Sequence, residues 1–368
     1  MKLSILKDFL QEKVIDAQKF ILSRTSAVPL LQNGLIEITK GKIIIMTSNL
    51  NDFFYTELKT DTKEELKCAV DIKKIGEYLT LLPSGKIDLD FAETNVTISM
   101  GKTKASFSII KADDFPKIPE IEGKKQSLDK KTIKDLLPLV MFAAATDESR
   151  PVLTGICFQT SEDNLNLVAT DGFRLSLVTK KTKEIFPSTI ISSRTINDIV
   201  KLMNPDQDLE MTISEEEKMV KFDLKQMQIS SRLIDGDFPP FQKVIPTRYV
   251  TKFTVDKEEL LRNIKLSSVF ARELSNTIIF DIKKDGLHIK PKSVSGDESL
   301  MYQQIDLDGE EQIIAFNFKF VLEFLNVSKA KKIQFEMIDK NSPGLFREVG
   351  NDNFIHVIMP VRIENASA

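Results

Sequence analysis

Short apolar runs broken by polar turns dominate this chain, and the same arrangement recurs three times along it. LQNGLIEITKGKIIIMTS from Leu31, PVLTGICFQTSEDNLNLVATD from Pro151 and ELSNTIIFDIKKDGLHIKP from Glu273 each read as strand, turn, strand. Lys40-Gly41, Glu162-Asp163-Asn164 and Lys284-Asp285-Gly286 supply the turns. Gly34, Gly155 and Thr277 hold matching places, 121 and 122 residues apart. A second block closes each repeat: SFSIIKADDFPKIP, ISSRLIDGDFPPFQKVIP and FIHVIMPVRI. Its Pro116, Pro239 and Pro360 fall 123 and 121 residues apart, so two independent blocks give one period of about 122 residues.

Helical spacing appears twice in every repeat. Leu6, Leu10, Val14, Ala17 and Ile21 form one apolar stripe, and Ile72, Ile75, Leu79 and Leu82 another. The second repeat offers Ile133, Leu136, Leu137, Val140 and Ala144, then Ile196, Ile199, Val200 and Met203. The third offers Leu260 and Ile264, then Phe318, Val321, Leu322 and Leu325. The pattern predicts an α+β chain of three similar domains, each with two helices packed on antiparallel β-sheet. Charge and turn residues at Ile121–Ser127 and Pro246–Thr251 read as linkers, giving domains 1–123, 124–248 and 249–368.

Composition narrows the function. A chain of 368 residues, 42% hydrophobic, has material for several cores. Cys68 and Cys157 lack a Cys-x-x-Cys partner, which supports neither a disulfide framework nor a zinc site and fits a reducing cytoplasm. Lys7, Asp8, Glu12 and Lys13 interrupt the opening, and no apolar run has the length of a membrane span, so a cytoplasmic protein without a membrane partner is expected. The net charge of -3 argues weakly against a nucleic-acid partner, unless positive charge is confined to one surface. Helical projection suggests such a surface: Lys131, Lys134, Arg194, Lys201, Arg262 and Lys265 point away from their apolar stripes, although Asp135, Asp198 and Glu258 share those faces.

Candidate chemistry is sparse. The two histidines, His288 and His356, fall in predicted strands and offer little for a nucleophile–base pair. No phosphate-cradling glycine motif stands between a strand and a helix, and Glu215-Glu216-Glu217 reads as a solvated loop. Asp171 and Arg174, flanking a glycine turn in VATDGFRLS, could serve a hydrolase, but a lone Asp with a lone Arg is more often a structural turn pair. No cofactor or metal is implied.

The motifs LVATDGFRLS at Leu167–Ser176, DGDFPPFQKVIP at Asp235–Pro246 and MPVRI at Met359–Ile363 resemble those of the bacterial DNA polymerase III beta subunit family. The opening MKLSILKDFLQ and the Arg24…Pro29-Leu30-Leu31 stretch match the start of that family, and the likeness runs through the whole chain in order. It implies the DNA clamp fold and a homodimer of three-domain chains closed as a six-domain ring. It also implies a processivity role without catalysis: sequence-independent contact with double-stranded DNA, and capture of DNA polymerase, clamp loader and other proteins through a short peptide motif. A β-rich scaffold with no DNA role, or the Asp171/Arg174 hydrolase, are the alternatives.

The resemblance assigns Arg24, Arg150, Arg194 and Lys201 to the DNA-facing surface, and the helical wheel adds Lys74 and Lys134. For a partner-peptide pocket it assigns Leu153, Thr170, Gly172, Phe173, Arg174 and Leu175 from the second repeat. Pro239, Lys243 and Val244 follow from the closing block, and Pro343, Val357, Met359, Pro360, Val361 and Arg362 from the third. Arg174 or Arg362 would hold a peptide's carbonyl or carboxylate. The dimer contact would use Phe107, Val269 and Phe270, with Lys102 and Lys104 facing Asp297 and Glu298. Phe173 stands where the family commonly has His, Pro151-Val152 replaces tyrosines of some relatives, and ENASA extends beyond the usual end, where it could shield the pocket.

Overall fold

The structure, a computed structural model, describes residues 1–22, 28–204, 206–272, 276–292 and 299–362; Arg24, Asp297, Glu298 and the terminal extension lie outside them. The chain divides into two compact units, Met1–Lys130 with Arg194–Leu233, and Lys131–Ser193 with Ile234–Ala368. The division cuts through the middle repeat because strands on either side of it are hydrogen-bonded to different neighbours.

In the first unit one antiparallel sheet of twelve strands runs from Lys2–Leu6 through Lys86–Phe91, Asn95–Met100, Thr103–Ile110, Leu66–Val70, Gly34–Thr39, Lys42–Ser48 and Asp52–Lys59. It then continues into Met227–Arg232, Met219–Asp223, Leu209–Ser214 and Lys124–Leu128 of the middle repeat. The seam between repeats is the pairing of Asp52–Lys59 with Met227–Arg232, in register Asp52 to Ser231 and Thr56 to Met227. In the second unit the seam recurs 122 positions later: Arg174–Lys181 pairs with Asn351–Ile358, Arg174 opposite Ile358. That seam lies inside a nine-stranded sheet, and a separate four-stranded sheet is ordered Met301–Gln303, Gly286–Pro291, Thr277–Lys283, Gln312–Asn317.

Helices Lys7–Ala17 and Ile72–Leu81 cover the first repeat because their stripes meet the inward positions of the sheet: Leu10, Val14, Ile72 and Ile75 close with Ile36, Ile43, Leu89 and Val96 around a void of about 20 Å³. The recurring glycine at the start of the first hairpin strand is explained by close approach. A Cβ on Gly34 would stand 2.7 Å from Ile72 Cδ1, and one on Gly155 2.4 Å from Ile190 Cγ2.

Two expectations are corrected. The stripe from Ile133 to Ala144 is not one α-helix but a π turn, Thr132–Leu136, followed by Pro138–Met141. Pro138 has no N–H to donate and its ring crowds the carbonyl of Lys134, so the chain widens and Leu137 N–H reaches back to Thr132 C=O at 3.0 Å. Nor is Ile121–Ser127 a linker: Ile121 is buried with Phe53 and Met219, and Lys124–Leu128 is a strand paired with Leu209–Ser214. Lys124 and Lys125 obscured the alternation that buries Gln126 and Leu128.

The first seam carries a buried carboxylate. Asp52 accepts hydrogen bonds from the hydroxyls of Thr195 at 2.9 Å and Ser231 at 2.7 Å, and from Asn49 Nδ2 at 3.0 Å. Asp52→Ala removes the shared acceptor of two buried hydroxyls and should lower stability by about 1–3 kcal/mol, with Asp52→Asn recovering part of it. Urea unfolding of both variants measures this; an Asp52→Ala protein as stable as wild type contradicts it.

Candidate functional site

At the second seam several of the residues expected in a partner pocket are neighbours. The turn entering strand Arg174–Lys181 is fixed by its own side chains: Thr170 Oγ1 accepts Gly172 N–H at 3.0 Å, and Asp171 Oδ1 accepts the N–H groups of Phe173 and Arg174 at 2.9 and 3.0 Å. Gly172 has φ +91°, a left-handed conformation that glycine adopts without strain. The first seam builds the same turn from different residues. Ser48 Oγ accepts Leu50 N–H at 3.0 Å, and Asn49 Oδ1 accepts the N–H groups of Asn51 and Asp52 at 3.0 and 2.7 Å. A hydroxyl followed by an Asx residue therefore encodes the turn in both repeats.

The turn pushes Phe173 outward, where it is 65% exposed. Its carbonyl accepts Met359 N–H at 2.8 Å, which brings the 39% exposed Met359 alongside. Leu153 lies below: its Cδ1 is 4.0 Å from the point a Gly172 Cβ would occupy. The short helical turn Phe241–Val244 is pinned by Phe241, which joins Leu175, Val357, Leu345 and Cys157 in a buried cluster, while Lys243 and Val244 on the same turn stay exposed. Pro239 is exposed, Pro343 and Pro360 are half-buried, Val361 N–H bonds to Ala315 C=O at 2.8 Å, and Arg362 is exposed. Leu175 and Val357 are core residues, whereas Phe173, Val244 and Met359 are exposed apolar side chains.

Arg174 is not free to hold a peptide, contrary to expectation. It is 8% exposed, and it donates through Nε to Asp171 Oδ2 at 3.0 Å, through Nη2 to the Phe142 carbonyl at 2.6 Å, and through Nη1 to the Glu323 carboxylate. Its guanidinium lies 4.6 Å from the Phe320 ring centroid and 5.4 Å from that of Phe142. Asp171 and Arg174 are thus a structural turn pair, which removes the basis of the hydrolase reading. Phe142, Phe320, Glu323 and Phe241 were not foreseen; only Phe241, an aromatic in a proline-rich turn, left a signal in the sequence.

Beneath the turn, His356 is fully buried, with Nδ1 2.7 Å from Ser176 Oγ and its ring stacked on Phe324 at 5.2 Å. Burial, and secondly the Arg174 charge, hold its pKa well below the ordinary 6.5.

Of the expected DNA-facing residues, Lys74, Lys134, Arg150, Arg194 and Lys201 are all exposed. Arg194 and Lys201 share the helix Ser193–Leu202 with Asp198, whose pKa burial raises while Arg194, Lys19 and Lys201 pull it down. Lys74 is paired with Asp71 at 3.5 Å. Arg150 sits beside the pocket turn, its Nη1 3.8 Å from the point a Gly172 Cβ would take. Among the described residues no cluster of three or more His, Cys, Asp or Glu could hold a metal, and no helix is long and apolar enough to cross a membrane. Cys68 and Cys157 are buried free thiols, each pushed up to about 11 by burial.

Repeated helix-on-sheet units joined by strand seams are the architecture of the clamp fold. Family models for the DNA polymerase III beta subunit match in sequence: the N-terminal domain at residues 1–119, the central domain at 127–240 and the C-terminal domain at 242–362. The Bacillus subtilis beta sliding clamp is 27% identical over 381 residues, covering 98% of this chain and all of that protein. The crystal structure of the Thermotoga maritima DNA polymerase III beta subunit superposes with TM-score 0.92 at 24% identity, covering 99% of this chain and 100% of that one. A Pseudomonas aeruginosa sliding clamp bound to griselimycin superposes at 0.91 with 22% identity, over 99% and 100% of the two chains. The chain belongs to the DNA polymerase III beta subunit family, the beta sliding clamps. Its members are processivity factors without a catalytic site of their own.

His356 sets a pH limit on this part of the fold. Below about pH 6.5 the unfolded chain takes up a proton that the folded chain refuses, so stability falls as pH drops, approaching at most about 1.4 kcal/mol per pH unit. Urea unfolding between about pH 7.5 and pH 5 should show a shallower loss of stability with acid in His356→Gln, the difference opening below about pH 6.5. Parallel slopes contradict it.

Proposed function

We propose that two copies of this chain close head to tail into a ring around double-stranded DNA and hold the replicative polymerase, the clamp loader and other motif-bearing proteins on it, in the cytoplasm. The observation that carries the reading is the repeated seam. Each chain of three domains makes it twice, at Asp52–Lys59 with Met227–Arg232 and at Arg174–Lys181 with Asn351–Ile358, and keeps one half of a third seam at either end. Strand Thr103–Ile110 stands in the first repeat where those partner strands stand in the others, and it meets Leu66–Val70 only through Ile109 and Ile110. Met301–Gln303, 122 positions after the Arg174–Lys181 strand, is the edge of its sheet. Unpaired strand edges favour pairing, and a head-to-tail contact repeated by rotation closes a ring.

The side chains at the two edges suit closure. Ile110, Leu300 and Tyr302 are 46%, 55% and 51% exposed, and Val269 is 61% exposed beside the half-buried Phe270. Phe107 is held edge-on to Tyr78, and Lys102 and Lys104 are exposed. Lys134, Arg150, Arg194 and Lys201, with Lys74 in a weaker role, supply phosphate contacts that are sequence-blind and screened by salt. Peptide motifs dock on Phe173, Val244 and Met359, with Leu153 as the floor and Lys243 or Arg362 meeting acidic groups.

Two measurements test this reading. Sedimentation at micromolar concentration should give a dimer for the wild type and a monomer for the double variant Ile110→Lys, Tyr302→Lys; a wild-type monomer sinks the ring. Calorimetric titration with a peptide carrying Gln, Leu and a Leu-Phe pair should lose about 1–2 kcal/mol on Met359→Ala and less on Lys243→Ala. Undiminished binding to Met359→Ala places the partner site elsewhere.

A further inference from the structure

We propose that Glu323 is a positioning residue for the partner pocket: through Arg174 it fixes the turn that presents Phe173 and Met359, without itself touching the peptide. The inference rests on the pocket reading above and extends it to a residue outside the pocket.

The hydrogen bonds form one connected path. Glu323, on helix Phe318–Val327, accepts from Arg174 Nη1, and Arg174 Nε donates to Asp171 Oδ2 at 3.0 Å. The other oxygen of Asp171 accepts the N–H groups of Phe173 and Arg174, so the carboxylate that orients the guanidinium also shapes the turn. Thr170 Oγ1 closes the turn by donating to the Arg174 carbonyl at 2.5 Å, and the Phe173 carbonyl takes Met359 N–H. The path therefore runs from the helix to the two exposed apolar side chains.

Charge explains why the path needs Glu323. A guanidinium only 8% exposed, wedged between the Phe142 and Phe320 rings, is costly unless its N–H groups are met by anions or carbonyls. Asp171 and the Phe142 carbonyl meet Nε and Nη2, and Glu323 meets Nη1. Removing Glu323 leaves Nη1 without its anion, so the guanidinium is held on one side only, by Asp171 and the Phe142 carbonyl, and its grip on the Asp171 carboxylate that shapes the turn loosens. Two carboxylates on one guanidinium also take Arg174 out of peptide recognition, which leaves an acidic peptide group to Lys243 or Arg362.

The Glu323 side chain is itself 46% exposed, so its replacement spares the core. Full-length Glu323→Ala should bind the Gln-Leu-Leu-Phe type of peptide about three- to tenfold more weakly, with the midpoint of thermal unfolding within a few degrees of wild type. Glu323→Gln, which keeps an acceptor, should recover most of the affinity. Amide exchange at Gly172 and Phe173 should quicken in Glu323→Ala and not in Met359→Ala, which acts by direct contact. In an Arg174→Met background the Glu323→Ala effect on affinity should vanish, because the two residues act in series. The proposal is overturned if Glu323→Ala binds as wild type while Met359→Ala is weakened, or if its loss of affinity persists undiminished beside Arg174→Met. If neither Glu323→Ala nor Met359→Ala weakens binding, the pocket reading fails and this inference falls with it.

Discussion

A strand at the edge of a sheet exposes a row of backbone N–H and C=O groups, and the repeats of this chain meet at strands that would otherwise be such edges. The structure answers the constraint by joining repeats through antiparallel strand pairs. The seam of Asp52–Lys59 with Met227–Arg232 and its counterpart 122 positions later make the sheets continuous across repeat boundaries. The compact units consequently cut through the middle repeat and do not follow the sequence period. The same constraint is left unmet along most of one side of Thr103–Ile110 and at the edge strand Met301–Gln303, which is where the proposed second chain would pair.

The second seam also carries the surface proposed for partner docking. Each seam is entered by a turn built on a hydroxyl and an Asx side chain, Ser48-Asn49 in one and Thr170-Asp171 in the other. The residues after the turn separate the two seams. At the first seam Leu50, with φ 77°, and Asn51 lead to Asp52, which is buried among hydroxyls, and Arg232 Nε bonds to the Leu50 carbonyl at 3.1 Å. At the second, Gly172 and Phe173 lead to Arg174, and Met359 takes the place of Arg232. One backbone device yields a polar, self-satisfied joint in the first case and an exposed apolar surface in the second.

Much of this was legible in the sequence because the signals were periodic. The three hairpins, their turns and the repeat length all follow from alternation and from the spacing of Gly34, Gly155, Pro116, Pro239 and Pro360. Local chemistry that breaks a period was harder to read. Pro138 splits a helix whose apolar stripe runs through unbroken, and Lys124-Lys125 masks a strand whose inward residues are Gln126 and Leu128. At the site, the motif resemblance named the turn and the residues around it, but not the state of Arg174. Whether an arginine reaches toward a ligand or into its own fold depends on acceptors distant in sequence, here the Phe142 carbonyl and Glu323. No local pattern records them.

Closure is the central claim, because both the DNA reading and the pairing of Thr103–Ile110 with Met301–Gln303 depend on it. The most direct measurement is retention of the assembled protein on nicked circular DNA before and after the circle is cut. A closed ring stays on the circle and is released once the DNA has ends. Equal retention on circular and linear DNA, or equal loss from both, would contradict a ring held in place by topology.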